Sequence, residues 1–358
     1  MNAQFTRHEL IFKQASGTSR GVLTTKETYL LEISENNKKG IGECAIFRGL
    51  SYDDVPDYEE KLTWLCENIN LDFEVLKKEL LHYPSIIFGL EQALLNLEHG
   101  EDLYFPSDFT DGKDSIKING LIWMGNANFM QSQIEEKLAK GFDCIKLKIG
   151  VDWKSEKEII KKLREKFPKE QLELRVDANG AFSYEEARMV LQELADLGIH
   201  SIEQPIKKSE VRSPKSEENS EKKSTDCCIP WNEMAKLCTE TPTPIALDEE
   251  LIGVIDFEEK KKLLETIKPQ YIILKPALVG GFSGSDEWIA IAESLGINWW
   301  ITSALESNIG LNAICQYTYT KKNPLPQGLG TGALFTNNFE THLQLEGDQM
   351  WHKKTPYY

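Results

Sequence analysis

The chain has 358 residues with 41% hydrophobic content, enough for a barrel of about 250 residues plus a smaller domain. Its formal charge of −16 and pI near 5.0 argue against nucleic acid or an anionic membrane as partner. Seven cysteines without a C-x-x-C pair, no apolar stretch approaching about 18 residues and no apolar leader in MNAQFTRHELIFKQ predict a cytoplasmic protein with reduced thiols.

Two textures follow in chain order. Residues 1–115 hold strand-like runs (HELIFKQ, TYLLEIS, GIGECAIF), then helical stretches from Asp57 to Leu81 and from Ser85 to Glu98, the order of an α+β domain. Over residues 116–331, apolar runs alternate with helical stretches such as Ser183 to Leu197 and Asp286 to Leu295. The runs IKINGLIWM, CIKLKIG, LELRVDAN, SIEQP, PIALDEE, YIILKPAL, NWWITSALE and PQGLG predict a (β/α) barrel of eight strands with an irregular last unit. Residues 332–358 have no barrel unit left to build and are expected to pack back on the N-terminal domain. Segment 207–226, KKSEVRSPKSEENSEKKSTD, is charged and Ser-rich, which reads as a solvated surface insertion, with a partner-binding loop as the alternative.

Charges end five successive strand-like runs: Lys148, Asp177, Glu203, Asp248 and Lys275. In an α/β barrel all strand C-termini converge on one face, where catalytic groups sit. One carboxylate at such a place is more often a cap or turn residue, but three at corresponding positions are not explained by capping. They predict an oxygen-only site for Mg²⁺, with Mn²⁺ as a substitute, flanked by amines that move protons. Six histidines lying outside these strand ends argue against zinc there. Lys146 and Lys148 stand two apart and share a face: inside a barrel each ammonium lowers the other's pKa, whereas on an amphipathic edge strand both are solvated. Arg175 shares the face of Asp177 and has a ligand carboxylate, Asp177 or Glu203 open to it as partner. Asn179 and Glu249 adjoin the carboxylates as supporting groups. The glycines of QGLGTGA, Gly328, Gly330 and Gly332, have the wrong spacing for a dinucleotide fingerprint and fit close backbone approach to a ligand better.

The set Lys146-x-Lys148, Asp177, Glu203, Asp248 and Lys275 resembles that of the enolase superfamily, in its muconate-lactonizing subgroup. INGLIWMG, IKLKIG, RVDANGAFS, ALDEEL, TSALESNIGLNA and QGLGTGALFTNN are similar to strings of the o-succinylbenzoate synthases of the menaquinone pathway. The resemblance implies an enolase-like fold, with residues 1–115 capping the barrel mouth, and a small-molecule carboxylate substrate, 2-succinyl-6-hydroxy-2,4-cyclohexadiene-1-carboxylate. It implies Lys148 as base, Lys275 as stabilising cation, and Asp177, Glu203 and Asp248 as metal ligands. The loop from Ser16 to Val22, with Ser19 and Arg20, would cover the substrate, or else is a plain hairpin; Ser303, Ser307 and Gly330 would line its site.

Three functional classes stay open: this dehydrating lyase, an isomerase such as an N-acylamino acid racemase or dipeptide epimerase, and a non-catalytic barrel. GLGTGALF lacks the Asp-x-Asp of the epimerases, and the complete catalytic set argues against a barrel without chemistry.

Overall fold

The computed structural model describes residues 1–18, 21–123, 127–208 and 231–357; Ser19, Arg20 and most of the charged insertion lie outside the described residues. The N-terminal unit begins with an antiparallel meander of β1 (Asn2–Thr18), β2 (Gly21–Glu35) and β3 (Lys38–Cys44). Strand period two gives β2 two buried faces. Tyr29, Leu31 and Ile33 join the core beneath the helices α1 (Tyr58–Glu67), α2 (Phe73–Glu79) and α3 (Pro84–His99), while Lys26 and Thr28 are buried on the other side. The continuous helix expected from Asp57 to Leu81 is broken. Asn68 turns back on Trp64 O with its side chain at 2.8 Å, ending α1, and Asp72 caps α2 by accepting Glu74 N at 2.9 Å.

The expected strand IKINGLIWM is also two. β4 (Ser115–Lys117) pairs with the C-terminal hairpin, whereas β5 (Gly120–Ile122) opens the barrel. The barrel continues as α4 (Ala127–Ala139), β6 (Cys144–Lys148), α5 (Trp153–Lys166), β7 (Glu173–Asp177), α6 (Tyr184–Asp196) and β8 (Ser201–Glu203). Then come α7 (Asn232–Glu240), β9 (Ile245–Leu247), α8 (Phe257–Ile267), β10 (Tyr271–Leu274), α9 (Pro276–Val279), α10 (Gly281–Ser294), β11 (Asn298–Ile301) and α11 (Asn308–Thr320). Local chemistry explains the boundaries: Ser183 and Glu186 form a reciprocal capping box at the start of α6.

The strands β5 to β11 make one parallel sheet in chain order. PQGLG does not form an eighth strand. It closes the barrel by single bridges, Gln327 to Ile118 and Gly328 to Thr302, with Asn119 N donating to Gln327 O at 2.9 Å and Gly328 N to Ile301 O at 2.8 Å. Glycine is required there, because a Cβ on Gly328 would collide with Thr302 Oγ1. β12 (Thr341–Glu346) and β13 (Gln349–Tyr357) form a hairpin that pairs with β4. The preceding stretch lies along β1, where Lys13 N donates to Leu334 O and Thr336 N to Ile11 O, both at 2.8 Å. The barrel core runs unbroken into the N-terminal unit through Leu10, Phe12, Phe47 and Phe88. Among the described residues, no helix is long and apolar enough to cross a membrane.

Candidate active site

Parallel register aligns the charges. Lys148, Asp177 and Glu203 are direct partners across β6, β7 and β8, and Asp248 and Lys275 follow β9 and β10 immediately. Glu203 stands in the middle of this arc. Lys146 Nζ donates to its Oε2 at 2.8 Å, and Lys275 Nζ lies 3.8 Å from its Oε1. Lys148 Nζ donates to Asp177 Oδ2 at 3.0 Å and to Asn179 Oδ1 at 2.6 Å, while Lys275 donates to Asp248. Asn179 Nδ2 in turn donates to Glu249 Oε1 at 3.1 Å.

Burial of so many charges sets their protonation. Desolvation, with Asp177 beside it, pushes the Glu203 carboxyl up, and desolvation likewise raises Asp248. Burial opposes ionisation of Asp177 too, but the ammoniums of Lys148, Lys146 and Lys275 hold it below the ordinary range. The expectation that a neighbouring ammonium lowers Lys146 is not met. Burial does act downward, yet Glu203 at 2.8 Å and Asp177 at 3.8 Å outweigh it and raise the amine. Lys275 is raised for the same reason, by Asp248 and Glu203.

A pocket opens above this floor. Lys146, Lys148, Asp177, Asn179, Glu249 and Lys275 form its charged side; Phe47 and Leu50 of the N-terminal unit, with Leu121, Trp123 and Leu305, form an apolar side. Thr302, Ser303, Asn119 and Thr331 give it a polar rim. Ser303 Oγ and Thr331 Oγ1 share a hydrogen bond at 2.6 Å. The three carboxylates fit a hard divalent cation: the donors are all oxygen, and Glu203 Oε1 is buried without a hydrogen-bond partner.

Residues 2–97 match the family described as MenC, N-terminal domain, and residues 130–216 and 226–351 match the family described as Enolase C-terminal domain-like. The o-succinylbenzoate synthase of Desulfotalea psychrophila is 41% identical over 97% of this chain and 98% of its own length. This chain belongs to the o-succinylbenzoate synthase family of the enolase superfamily. The crystal structure of MenC from the same organism superposes with a TM-score of 0.83 at 39% identity, covering 98% of this chain and 99% of that one. The N-succinylamino acid racemase of Thermus thermophilus is 33% identical over 84% of this chain and 78% of its own.

Within this o-succinylbenzoate synthase fold, the residues expected to line a ligand separate. Ser303 and Gly330 border the pocket. Ser307 does not: its Oγ donates to Glu43 Oε2 at 2.6 Å and caps α11, tying the N-terminal unit to the barrel. Arg175 pairs with neither Asp177 nor Glu203. It points into the barrel interior one layer below Asp177, where it donates to Glu173 at 2.7 Å and Pro326 O at 2.9 Å and stacks on Trp300. A one-layer offset of about two strand residues puts it out of reach of the mouth. Asn119, Thr302 and Thr331 were not singled out from the sequence, although all three lie in strings that carry the family resemblance. Lys26 was missed as well; it is buried without a hydrogen-bond partner, with Glu43 and Glu306 as the nearest charges.

Proposed function

We propose that the protein is a divalent-metal-dependent o-succinylbenzoate synthase, converting 2-succinyl-6-hydroxy-2,4-cyclohexadiene-1-carboxylate to 2-succinylbenzoate in menaquinone biosynthesis. The observation that carries this reading is the placement of Lys148 and Lys275 at opposite ends of the carboxylate arc Asp177–Glu203–Asp248. Asp177, Glu203 and Asp248 would hold the metal, Mg²⁺ on the preference of hard oxygen ligands, with Mn²⁺ as a substitute. When bound, it supplies positive charge to the substrate carboxylate and so acidifies the adjacent C–H.

Lys148, oriented by Asn179 Oδ1 at 2.6 Å, acts as the free amine that takes this proton. As an ammonium it then returns the proton to the departing hydroxyl on the same face. The C–H and C–O bonds break, water leaves and the ring becomes aromatic, which makes the second step downhill. Lys275, held protonated by Asp248 and Glu203, faces the developing anion from the other side. Residues 1–115 serve as the cap, contributing Phe47 and Leu50 to the pocket, and the loop that carries Ser19 and Arg20 would cover the substrate.

An N-acylamino acid racemase is the second reading, favoured by the same pair of facing lysines and by the racemase relative. The ligand assignment is tested by calorimetric Mg²⁺ titration of Asp177→Asn, Glu203→Gln and Asp248→Asn. Each variant is expected to bind Mg²⁺ far more weakly than the parent; wild-type affinity in all three would overturn the assignment.

A further inference from the structure

The sequence argued against zinc because no histidine lies at the barrel mouth. Two of the six histidines meet elsewhere, on one carboxylate behind the barrel. We propose that Asp102, His342 and His352 form a second metal site, which takes an imidazole-preferring divalent ion of the zinc class and fastens the C-terminal hairpin to the rest of the chain.

The ligand atoms are Asp102 Oδ2, His342 Nδ1 and His352 Nε2, all within 4.8 Å of one another. Oδ2 lies 2.5 Å from His342 Nδ1 and 3.1 Å from His352 Nε2. Ligands bonded at about 2.0–2.1 Å around a tetrahedral ion stand roughly 3.3 Å apart, the scale of the separations found here, so a cation enters with local adjustment of the side chains. Two imidazoles with one carboxylate are borderline donors, suited to Zn²⁺, Co²⁺ or Ni²⁺ rather than to Mg²⁺. This chemistry is distinct from the all-oxygen set at the barrel mouth.

The three ligands are positioned before any ion arrives. Asn312 Nδ2 and Gln316 Nε2, both on α11, donate to the Asp102 carbonyl at 2.9 and 2.8 Å, so the loop after α3 is pinned to the barrel. Asn312 Nδ2 also lies 3.4 Å from Asp102 Oδ2, a supporting contact behind the ligand oxygen. His352 on β13 is 4% exposed, with its ring 5.8 Å from that of Phe109. His342 on β12 and Asp102 keep 27% and 29% of their side chains exposed, which gives an ion a way in and leaves a fourth position for water. The ligands come from three chain segments more than 200 residues apart at the extremes, so an ion there closes a long loop of the unfolded chain and stabilises the fold.

Co²⁺ is the probe, because a tetrahedral nitrogen–oxygen site gives it strong visible absorption and an octahedral oxygen site does not. The full chain is titrated with CoCl₂ in excess Mg²⁺, which occupies the carboxylate site. One equivalent of Co²⁺ is expected to bind with the tetrahedral spectrum, to be displaced by Zn²⁺ and to raise Tm. His342→Ala, at a partly exposed ring, and Asp102→Asn should each weaken Co²⁺ binding on the order of 100-fold while dehydration of the cyclohexadiene is retained. Circular dichroism of the metal-free variants checks that they fold. Absence of the tetrahedral spectrum in the wild-type protein, or equal binding in both folded variants, would overturn the proposal and leave the three groups sharing protons alone.

Discussion

Lys146 and Lys148 are the same residue type on the same strand face, yet they have different neighbours. Both border the pocket, but Lys146 is held by Glu203 and Asp177, whereas Lys148 donates to Asp177 and to Asn179. Lys148→Ala should therefore lose on the order of 10² to 10⁴ in turnover, the usual worth of a general base, with an unchanged far-UV spectrum. A variant that keeps most of its turnover would remove Lys148 from the mechanism. Gly330 offers a finer probe. A Cβ there would meet nothing closer than Ile118 Cδ1 at 3.5 Å, so the protein itself tolerates a methyl, and the space it would fill belongs to the pocket. Gly330→Ala should keep its melting temperature and raise KM; a lowered Tm with unchanged KM would mean the glycine serves packing. The charged site residues were legible because a charge that ends an apolar run is costly to bury unless it is paired or holds a metal. Arg175 and Ser307 were not, since strand parity gives a face but not a depth, and a serine before a helix serves equally as a cap.

At the scale of elements, the link between α3 and α10 is the most informative. Glu91 on α3 accepts from Phe282 N at 2.5 Å and Ser283 N at 3.2 Å, capping α10 from outside the barrel. Burial pushes its carboxyl up to about 7, against the pull of those hydrogen bonds. Between an unfolded value of 4.5 and about 7, the native state holds a proton that the unfolded chain has lost, so this group's contribution falls as pH rises and levels off above that window. The difference corresponds to roughly 3 kcal/mol. Urea midpoints measured from pH 4.5 to 8 should show this decline in the wild-type protein and lose it in Glu91→Gln; parallel curves would contradict the assignment. Helices and strands with strong periodicity were readable, and the alternation that separates β6 to β11 is plain in the sequence. The break between α1 and α2 was hidden because Asn68 and Asp72 end and start helices through hydrogen bonds that no hydrophobic period records. The split of β4 from β5 was hidden for a related reason. Its apolar run is continuous, and only the C-terminal hairpin, far away in sequence, claims the first half.

For the whole molecule, the N-terminal unit and the barrel share one core and both line the pocket. Glu43 on β3 receives Ser307 Oγ and Gly310 N at 2.6 and 3.0 Å, so the N-terminal unit is anchored at the start of α11 while Phe47 and Leu50 roof the charged floor. This anchoring was not legible from the sequence, because Glu43 and Ser307 are separated by 264 residues and a serine in that string reads as readily as a ligand contact. The central claim is that this enclosure serves dehydration rather than racemisation. Both reactions use Lys148 and the metal, but racemisation also needs Lys275 as a second base, whereas dehydration on one face needs it only as a cation beside Asp248. The direct measurement takes the purified chain with Mg²⁺ and compares two rates. One is the growth of aromatic absorbance from the cyclohexadiene substrate; the other is α-hydrogen exchange from both enantiomers of an N-succinylamino acid in deuterated water. Rapid dehydration with slow exchange is the predicted result, and slow dehydration with fast exchange from both enantiomers would contradict it.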